Sequence, residues 1–110
     1  MIIVTGAAGF IGSAMVALLN EQGYKNIIAV DDFSRDDKNK NLTKKNILNS
    51  IHRDEFFQWA RNNKNEIEFV FHLGARTDTA EFDSRVFDKL NLNFSKEMWN
   101  FCSEQQIPMV

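Results

Sequence analysis

The chain has 110 residues, of which 44% are hydrophobic, including ten Phe and two Trp, so length and composition allow one domain with a real core. Fifteen acidic residues against thirteen basic ones give a net charge of -2, which offers no electrostatic attraction to nucleic acid or to an anionic membrane surface. We therefore expect no nucleic-acid partner and no membrane partner. The one cysteine, Cys102, has no internal disulfide partner, which predicts a reducing compartment and hence a cytoplasmic location.

Strands and a helix alternate in the first third of the chain. The apolar residues 2–4 predict a strand buried on both faces, and they run directly into Thr5 and Gly6 without the basic start of a signal peptide. Apolar side chains recur at helical spacing from residue 10 to about residue 22, and Gly23 lies where a helix is expected to stop. Residues 27–30 predict a second buried strand, which ends at Asp31 and Asp32.

The later residues continue the alternation. The polar residues 34–45 have no apolar period and predict a surface loop, and residues 47–48 predict a brief strand. Further along, the pattern predicts an amphipathic helix over 54 to about 62, a strand over 68–73, a long amphipathic helix from about 81 to 106 and an extended segment at 108–110. These lengths predict an α/β fold with a Rossmann-type doubly wound parallel sheet, truncated after the start of a further strand.

Three glycines spaced by three residues, Gly6, Gly9 and Gly12, lie between the first strand and the first helix. In a dinucleotide-binding turn, the first glycine allows a tight turn, the second lets the backbone approach a pyrophosphate, and the third lets the helix pack against the strand. The N–H groups at the start of the helix then receive the phosphate charge. The flanking strand and helix favour this interpretation over a glycine turn that serves only the fold.

Asp31 ends the second strand about twenty residues after the glycine turn, where a carboxylate can accept hydrogen bonds from an adenosine ribose. A solvated acid at a strand end is the alternative. An acid here favours NAD because it repels a 2′-phosphate, but Arg35, Lys38 and Lys40 follow in the loop and can neutralise that phosphate. The sequence leaves both NADP and NAD open, and these basic residues are as well explained by a solvated loop as by cofactor contact.

The third strong strand ends in Phe71-His72-Leu73-Gly74-Ala75. Ligands of open α/β sheets gather beyond such carboxyl ends, where the small residues Gly74 and Ala75 let a cofactor lie close. His72 invites a catalytic interpretation, but a histidine within an apolar strand favours a hydrogen-bonded structural role.

The remaining candidate residues predict structural roles. No metal site is expected, because two distant histidines and one cysteine form no ligand cluster. Cys102 on the long helix is expected in the core rather than as a nucleophile. Asn91 lies among apolar neighbours and therefore needs a hydrogen-bond partner.

The chain resembles the extended short-chain dehydrogenase/reductases, the NAD-dependent epimerase/dehydratase class that modifies nucleotide sugars. Residues 5–12, Asp31-Asp32 and the 71–75 string carry this resemblance. Within the class, residues 71–83, Asn91 and Ser95-Lys96-Glu97 are most similar to the ADP-L-glycero-D-manno-heptose 6-epimerase family, and the resemblance covers essentially the whole chain. UDP-glucose 4-epimerase is the near rival, but it usually lacks the Thr-x-Glu-x-Asp pattern seen here from Thr79 to Asp83.

The resemblance implies an isomerase that holds NADP or NAD tightly, oxidises a sugar carbon and returns the hydride to its other face. That reaction inverts C6 of ADP-D-glycero-D-manno-heptose to give the L-glycero form for lipopolysaccharide core synthesis, and the family suggests a homo-oligomer. The cofactor contacts that the resemblance implies here are Gly6, Gly9, Phe10, Ile11 and Gly12 at the phosphates, Asp31, Asp32 and Lys38 at the ribose end, and Arg53, Leu73, Gly74, Ala75, Arg76, Thr77 and Asn91 elsewhere.

Two departures from the family pattern matter. An acidic residue often seen near the third short strand, where the adenine is held, is replaced around Lys44, Lys45 and Asn46. The family's catalytic Ser or Thr and its Tyr-x-x-x-Lys pair have no counterpart, since the one tyrosine, Tyr24, is followed by Lys25 in a loop. Because the tyrosine carries the proton in this chemistry, we expect no catalytic residue in the chain and place the missing ones beyond residue 110.

Residues 1–110 are therefore expected to be the N-terminal part of an NAD(P)-binding Rossmann domain, a fragment that lacks the substrate-binding region and is inactive alone. UDP-glucose 4-epimerase or a sugar dehydratase of the same superfamily is the alternative within the class. A non-catalytic nucleotide-binding module is the alternative outside it, because such a module would keep the glycine turn and Asp31 but lack the Tyr/Lys pair.

Overall fold

The computed structural model describes residues 1–34, 36–73 and 84–110, and over 84–92 it describes the backbone but not the side chains. In these residues four strands alternate with four helices. They are β1 (Ile2–Thr5), α1 (Phe10–Glu21), β2 (Ile27–Asp31), α2 (Asp36–Asn39), β3 (Asn49–His52), α3 (Phe56–Asn63), β4 (Phe69–His72) and α4 (Ser84–Gln105). Short 3-10 turns follow α2 at Lys40–Leu42 and α3 at Lys64–Glu66.

The described strands form one parallel sheet in the order β3-β2-β1-β4. β1 therefore lies in the interior, with Thr5 opposite both Val30 and His72. The segment 108–110 extends the sheet beyond β4, because the Val70 N–H donates to the carbonyl oxygen of Pro108 at 3.0 Å and the His72 N–H donates to that of Val110 at 2.8 Å. The predicted parallel Rossmann-type sheet and the extended segment after the long helix are both confirmed.

The two faces of the sheet are buried against different helices, because alternate residues of a strand point to opposite sides. We call one side the aromatic face, which joins Ile3 and Val70 to the helical residues Phe56, Ala60, Met98, Phe101 and Cys102. We call the other side the compact face, which joins Ile2, Val4 and Ala29 to Ala7, Val16 and Leu19. Cys102 is thus a core residue, as expected, and burial raises the pKa of its thiol to about 11.

α1 ends in a Schellman motif at Gly23. The φ of Gly23 is 92°, its N–H donates to the carbonyl oxygen of Asn20 at 3.0 Å, and the Tyr24 N–H reaches back to that of Leu19 at 2.9 Å. The Asn20 side chain then holds the chain that leads to β3, because its amide accepts the N–H of Asn46 and donates to the carbonyl oxygen of Asn46, both at 2.9 Å. The helix stop predicted at Gly23 is confirmed.

Two segments differ from the sequence-based prediction. The loop predicted over 34–45 contains α2 and a 3-10 turn, and two acids in the first turn of α2, Asp36 and Asp37, favour the start of that helix. The brief strand predicted at 47–48 lies instead at Asn49–His52, where only Ile51 is buried, so the strand gives little apolar signal. The long helix is described from Ser84, and residues 81–83 lie outside the described residues.

Candidate functional site

The glycine turn joins β1 to α1 at the carboxyl end of the sheet. Gly6 has a φ of 64°, a left-handed conformation that favours glycine, and its carbonyl oxygen accepts the Gly9 N–H at 3.0 Å. A Cβ added at Gly12 would lie 2.0 Å from the Gly6 oxygen, so only glycine allows α1 to approach the turn this closely. These geometries match the turning and packing roles expected of the first and third glycines.

The start of α1 has the features of an anion site. Gly9 precedes the first helical turn without any side-chain cap, and that turn contains no acidic residue. The first N–H groups of a helix have no intrahelical partner and carry the positive end of the helix dipole, so they suit a phosphate. Phe10 and Ile11 follow with side chains 86% and 67% exposed. A pyrophosphate therefore fits the turn, because no side chain at Gly9 obstructs it.

Asp31 is fixed beside the glycine turn. One oxygen of its carboxylate accepts the Ala8 N–H at 3.0 Å, and the other accepts the Asp32 N–H at 2.8 Å. Its own carbonyl oxygen accepts the Arg53 N–H at 3.0 Å, which links the ends of β2 and β3. A carboxylate has about four lone-pair sites, so Asp31 keeps acceptor capacity for a ligand hydroxyl after these two contacts.

The segment after β2 folds back onto the glycine turn. Phe33 has a φ of 56°, which is uncommon for a bulky residue and turns the chain sharply. The Asn39 amide donates to the carbonyl oxygen of Phe33 and the Asn41 amide to that of Ala8, both at 2.8 Å. Among the described residues, the buried Oδ1 of Asn39 has no hydrogen-bond partner. Lys38, on α2 in the same segment, is half-buried.

His72, the last residue of β4, contacts residues of β1 and α4. Its Nδ1 lies 2.8 Å from Thr5 Oγ1, and its Nε2 lies 2.8 Å from Ser95 Oγ on α4. The ring stacks on Phe94 with centroids 5.6 Å apart, and the Arg53 guanidinium carbon lies 4.7 Å from the centroid of the Phe94 ring. Burial first, and then the charge of Arg53, lower the pKa of His72 from its ordinary value. These contacts agree with the hydrogen-bonded structural role expected for this histidine.

The structure gathers most of the implied cofactor residues at one edge. The glycine turn, Phe10, Ile11, Asp31 and Asp32 lie together there, and Leu73 joins them because its N–H donates to Thr5 Oγ1 at 3.0 Å. Lys38 and Arg53 are described but have no contact shown with the glycine turn. Five further implied residues, Gly74, Ala75, Arg76, Thr77 and Asn91, or their side chains, lie outside the described residues, as does Arg35 of the basic loop.

Sequence reasoning missed four contacting side chains, namely Thr5, Asn41, Phe94 and Ser95. Thr5 and Ser95 lie within strings that carry the family resemblance, but no local pattern predicts the contacts of any of the four, because each acts on a residue far away in the chain. In the described part of the chain, no three His, Cys, Asp or Glu side chains come together as metal ligands. In that same part, no helix is both long and apolar enough to cross a membrane.

Comparison with known proteins assigns this chain to a family. Residues 2–110 match the profile of the NAD dependent epimerase/dehydratase family. The ADP-L-glycero-D-manno-heptose-6-epimerase of Fusobacterium nucleatum is 41% identical to this chain. The alignment covers 100% of this chain and 34% of the Fusobacterium enzyme. The enzyme of that name from Cupriavidus pinatubonensis is 42% identical, over 99% of this chain and 33% of its own length.

A solved structure agrees with these relatives. The crystal structure of UDP-glucose 4-epimerase with UDP-glucose from Thermotoga maritima is 29% identical with a TM-score of 0.71, over 96% of this chain and 35% of that one. The chain thus spans about a third of the length of the curated relatives that it matches. The shared parallel sheet, the glycine turn and the match over residues 2–110 place the chain in the NAD dependent epimerase/dehydratase family.

Proposed function

We propose that this chain is the dinucleotide-binding part of an NAD(P)-dependent nucleotide-sugar epimerase. The observation that carries the proposal is the joint placement of the uncapped start of α1 and Asp31, whose carboxylate accepts the Ala8 N–H within the glycine turn at 3.0 Å. This edge offers donors for a pyrophosphate and an acceptor for a ribose within one short stretch. When bound, NADP or NAD supplies the hydride chemistry, and the residues of this chain bind and orient it.

The cofactor residues are proposed on this geometry. The glycines and the backbone of Phe10 and Ile11 hold the phosphates, because the first N–H groups of α1 point out of the helix end. Asp31, Asp32 and Lys38 bind the ribose end of the dinucleotide in this proposal. The remaining contacts are proposed on family likeness alone, at Arg53, residues 73–77 and Asn91.

The substrate that we propose is ADP-D-glycero-D-manno-heptose, with inversion at C6 for lipopolysaccharide core synthesis. Two relatives at 41% and 42% identity, both named as ADP-L-glycero-D-manno-heptose-6-epimerase, support this choice. Since the chain spans about a third of their length, we place the catalytic Ser or Thr and the Tyr-x-x-x-Lys pair in the rest of the polypeptide. We also propose a homo-oligomer in the cytoplasm.

A second candidate substrate is UDP-glucose. The 29% identity to the Thermotoga maritima UDP-glucose 4-epimerase favours it, because that likeness also covers 96% of this chain. The two candidates share the cofactor site described above. They differ in the sugar, so a substrate assay separates them while a cofactor assay does not.

Dinucleotide binding is the first test. The purified protein should bind NADP⁺ or NAD⁺ in isothermal titration calorimetry, and Gly9→Asp should abolish that binding, because the new carboxylate meets the pyrophosphate with steric bulk and like charge. Ala14→Asp is the matched control, since Ala14 is an exposed residue of the same helix and its substitution adds the same charge. Equal binding by Gly9→Asp and the control would overturn the cofactor site.

The substrate test uses the protein produced from its native gene. Its intact mass should be about three times that of this chain, given the share of the relatives that the chain spans. With ADP-D-glycero-D-manno-heptose it should give the L-glycero epimer, resolved by NMR, and UDP-glucose should remain unchanged. Conversion of UDP-glucose instead would establish the second candidate, and binding without conversion of either sugar would favour a non-catalytic module.

A further inference from the structure

Two carboxylates stand at the ribose end of the candidate site. Asp31 ends β2, Asp32 follows it, and both residues are half-buried. The Asp31 carboxylate accepts the Ala8 N–H at 3.0 Å on one oxygen and the Asp32 N–H at 2.8 Å on the other. Because both donors belong to the backbone, the glycine turn and the end of β2 fix the position of this carboxylate. A ribose at the glycine turn would therefore meet a negative charge that is held in place.

The donors that follow β2 are engaged within the protein. The N–H and the hydroxyl of Ser34 both donate to Asp32 Oδ1, each at 3.1 Å. The side-chain amides of Asn39 and Asn41 donate to backbone carbonyl oxygens, both at 2.8 Å. A phosphate is bound by cations and hydrogen-bond donors, because its oxygens are charged acceptors. These described donors serve acceptors of the chain itself, so the segment is poorly prepared for a phosphate on the ribose.

The guanidinium of Arg53 is engaged away from β2. Its carbon lies 4.7 Å from the centroid of the Phe94 ring, which packs against the aromatic face, in a cation–π geometry. After burial, the charge of Arg53 is the second cause that lowers the pKa of His72, at the end of β4. Since β4 and β2 lie on opposite sides of β1, the guanidinium is drawn towards the β4 side and not towards Asp31.

The lysines of α2 and of the 3-10 turn after it supply weaker attraction. Lys38 is half-buried and Lys40 is exposed, and within the described part of the chain no contact fixes either ammonium group. A lysine ammonium is a strongly hydrated point charge on a flexible stem, so ordering it around a phosphate costs side-chain entropy. The carboxylate of Asp31, by contrast, is already ordered by two hydrogen bonds.

We propose that the ribose end of this site selects NAD, which has a free 2′-hydroxyl, over NADP, which carries a 2′-phosphate. Asp31 is the main determinant, because its carboxylate accepts a hydrogen bond from the hydroxyl and repels the phosphate. Asp32 adds a second negative charge. In this assignment Lys38 and Arg53 do not form a 2′-phosphate pocket. The inference rests on the proposed function, because it specifies which dinucleotide the proposed cofactor site takes.

The two dinucleotides are compared directly on the protein produced from its native gene, after copurifying nucleotide has been removed. In isothermal titration calorimetry at low salt, NAD⁺ should bind roughly ten- to a hundredfold more tightly than NADP⁺. The ratio should shrink as salt is added, because salt screens the repulsion between carboxylate and phosphate. AMP should also bind more tightly than adenosine 2′,5′-bisphosphate, since these probes keep the ribose end and lack the nicotinamide.

Three variants locate the origin of the selectivity. Asp32→Asn keeps an oxygen for Ser34 and removes one charge, so NADP⁺ should gain about three- to tenfold in affinity relative to NAD⁺. Asp37→Asn is the matched control, because Asp37 is an exposed acid of α2 and its loss changes the net charge equally. The control should keep the ratio of the unmodified protein. Arg53→Met should change the affinities for the two dinucleotides by the same factor.

The outcomes separate this inference from the proposed function. The ratio is taken within each variant, so a general loss of stability or affinity does not alter it. NADP⁺ binding as tight as that of NAD⁺, or tighter, would overturn the selectivity and leave the proposed function intact. A loss by Arg53→Met that is confined to NADP⁺ would also overturn it, as would equal responses of Asp32→Asn and Asp37→Asn. Failure of the unmodified protein to bind either dinucleotide would overturn both proposals.

Discussion

The compact face and the aromatic face of the sheet are packed by opposite means. On the compact face, α1 lies so close to the glycine turn that one methyl group at Gly12 would stand 2.0 Å from a backbone oxygen. On the aromatic face, rings fill the space between sheet and helices, and the fully buried Phe56 contacts Phe101 edge-on at 6.5 Å. Added volume is therefore expected to be costly beside the glycine turn, and lost volume is expected to be costly around Phe56 on the opposite face.

Phe56→Ala, which removes a ring from the aromatic face, should lower the free energy of unfolding more than the other variants below. Removing a fully buried ring leaves a cavity among Phe57, Trp59 and Phe101, and we expect the free energy of unfolding to fall by about 3–5 kcal/mol. Urea denaturation followed by circular dichroism measures the change. Trp99→Ala is the control, because that side chain is 62% exposed and its loss should leave stability nearly unchanged. Equal losses for the two variants would contradict the division of the faces.

Gly12→Ala tests the compact face by adding volume. The new Cβ meets the backbone of Gly6 and Ala7 at 2.0 to 2.9 Å, so the backbone itself must shift, and we expect a loss of about 1–3 kcal/mol together with weaker dinucleotide binding. Gly9→Ala provides the graded comparison, since its Cβ would lie 3.3 Å from the Gly6 oxygen. Denaturation and calorimetry should show that Gly12→Ala loses more stability and more dinucleotide affinity than Gly9→Ala.

Gly23→Ala tests the C-terminal end of α1, where the backbone conformation, rather than a steric clash, disfavours a side chain. Nothing lies within 4 Å of an added Cβ, but the φ of 92° is unfavourable for a side chain. We expect a thermal midpoint lowered by the equivalent of about 1–2 kcal/mol. Gly23→Asn should recover part of that loss, because Asn tolerates the left-handed region better. A Gly23→Ala variant as stable as the parent would show that the Schellman motif does not require glycine.

Arg61→Ala should have the smallest effect, although Arg61 pairs with a residue of α4. The Arg61 guanidinium and the Glu97 carboxylate are 3.6 Å apart and connect α3 to α4, but the side chains are 67% and 52% exposed. Water and salt screen such pairs, so we expect a change of at most about 0.5–1 kcal/mol that shrinks further in high salt. A larger and salt-independent loss would indicate that the two helices depend on this pair.

The sequence predicted those parts of the fold that are encoded locally. The start and end of α1 follow from the glycine turn and Gly23, because both depend on conformations available to glycine. α2 and β3 were missed or misplaced, since α2 is a single polar turn and β3 buries only Ile51 on an outer strand. In such segments tertiary contacts, such as that of the Asn41 amide with the carbonyl oxygen of Ala8, decide the structure.

In the candidate site too, the sequence predicted the locally encoded residues and missed the long-range contacts. The spacing of the glycines and Asp31 is a local pattern, and the structure brings these residues together as that pattern predicts. The bridge from His72 to Ser95 joins residues 23 apart, and the bridge to Thr5 joins residues 67 apart. The sequence does not show that either hydroxyl contacts His72, because only the parallel pairing of β1 with β4 and the packing of α4 bring them to the ring.

The interior position of β1 has a kinetic consequence. β1 precedes the other described strands in the sequence, and its partner β4 follows 67 residues later at the Thr5–His72 pair. Pairing across such a distance requires a large loop to close before any contact compensates for it, so parallel sheets of this order fold slowly. Until β4 arrives, one side of β1 presents unpaired N–H and C=O groups to any other extended chain. An incompletely folded chain is therefore exposed to aggregation through Ile2–Thr5 until the sheet forms.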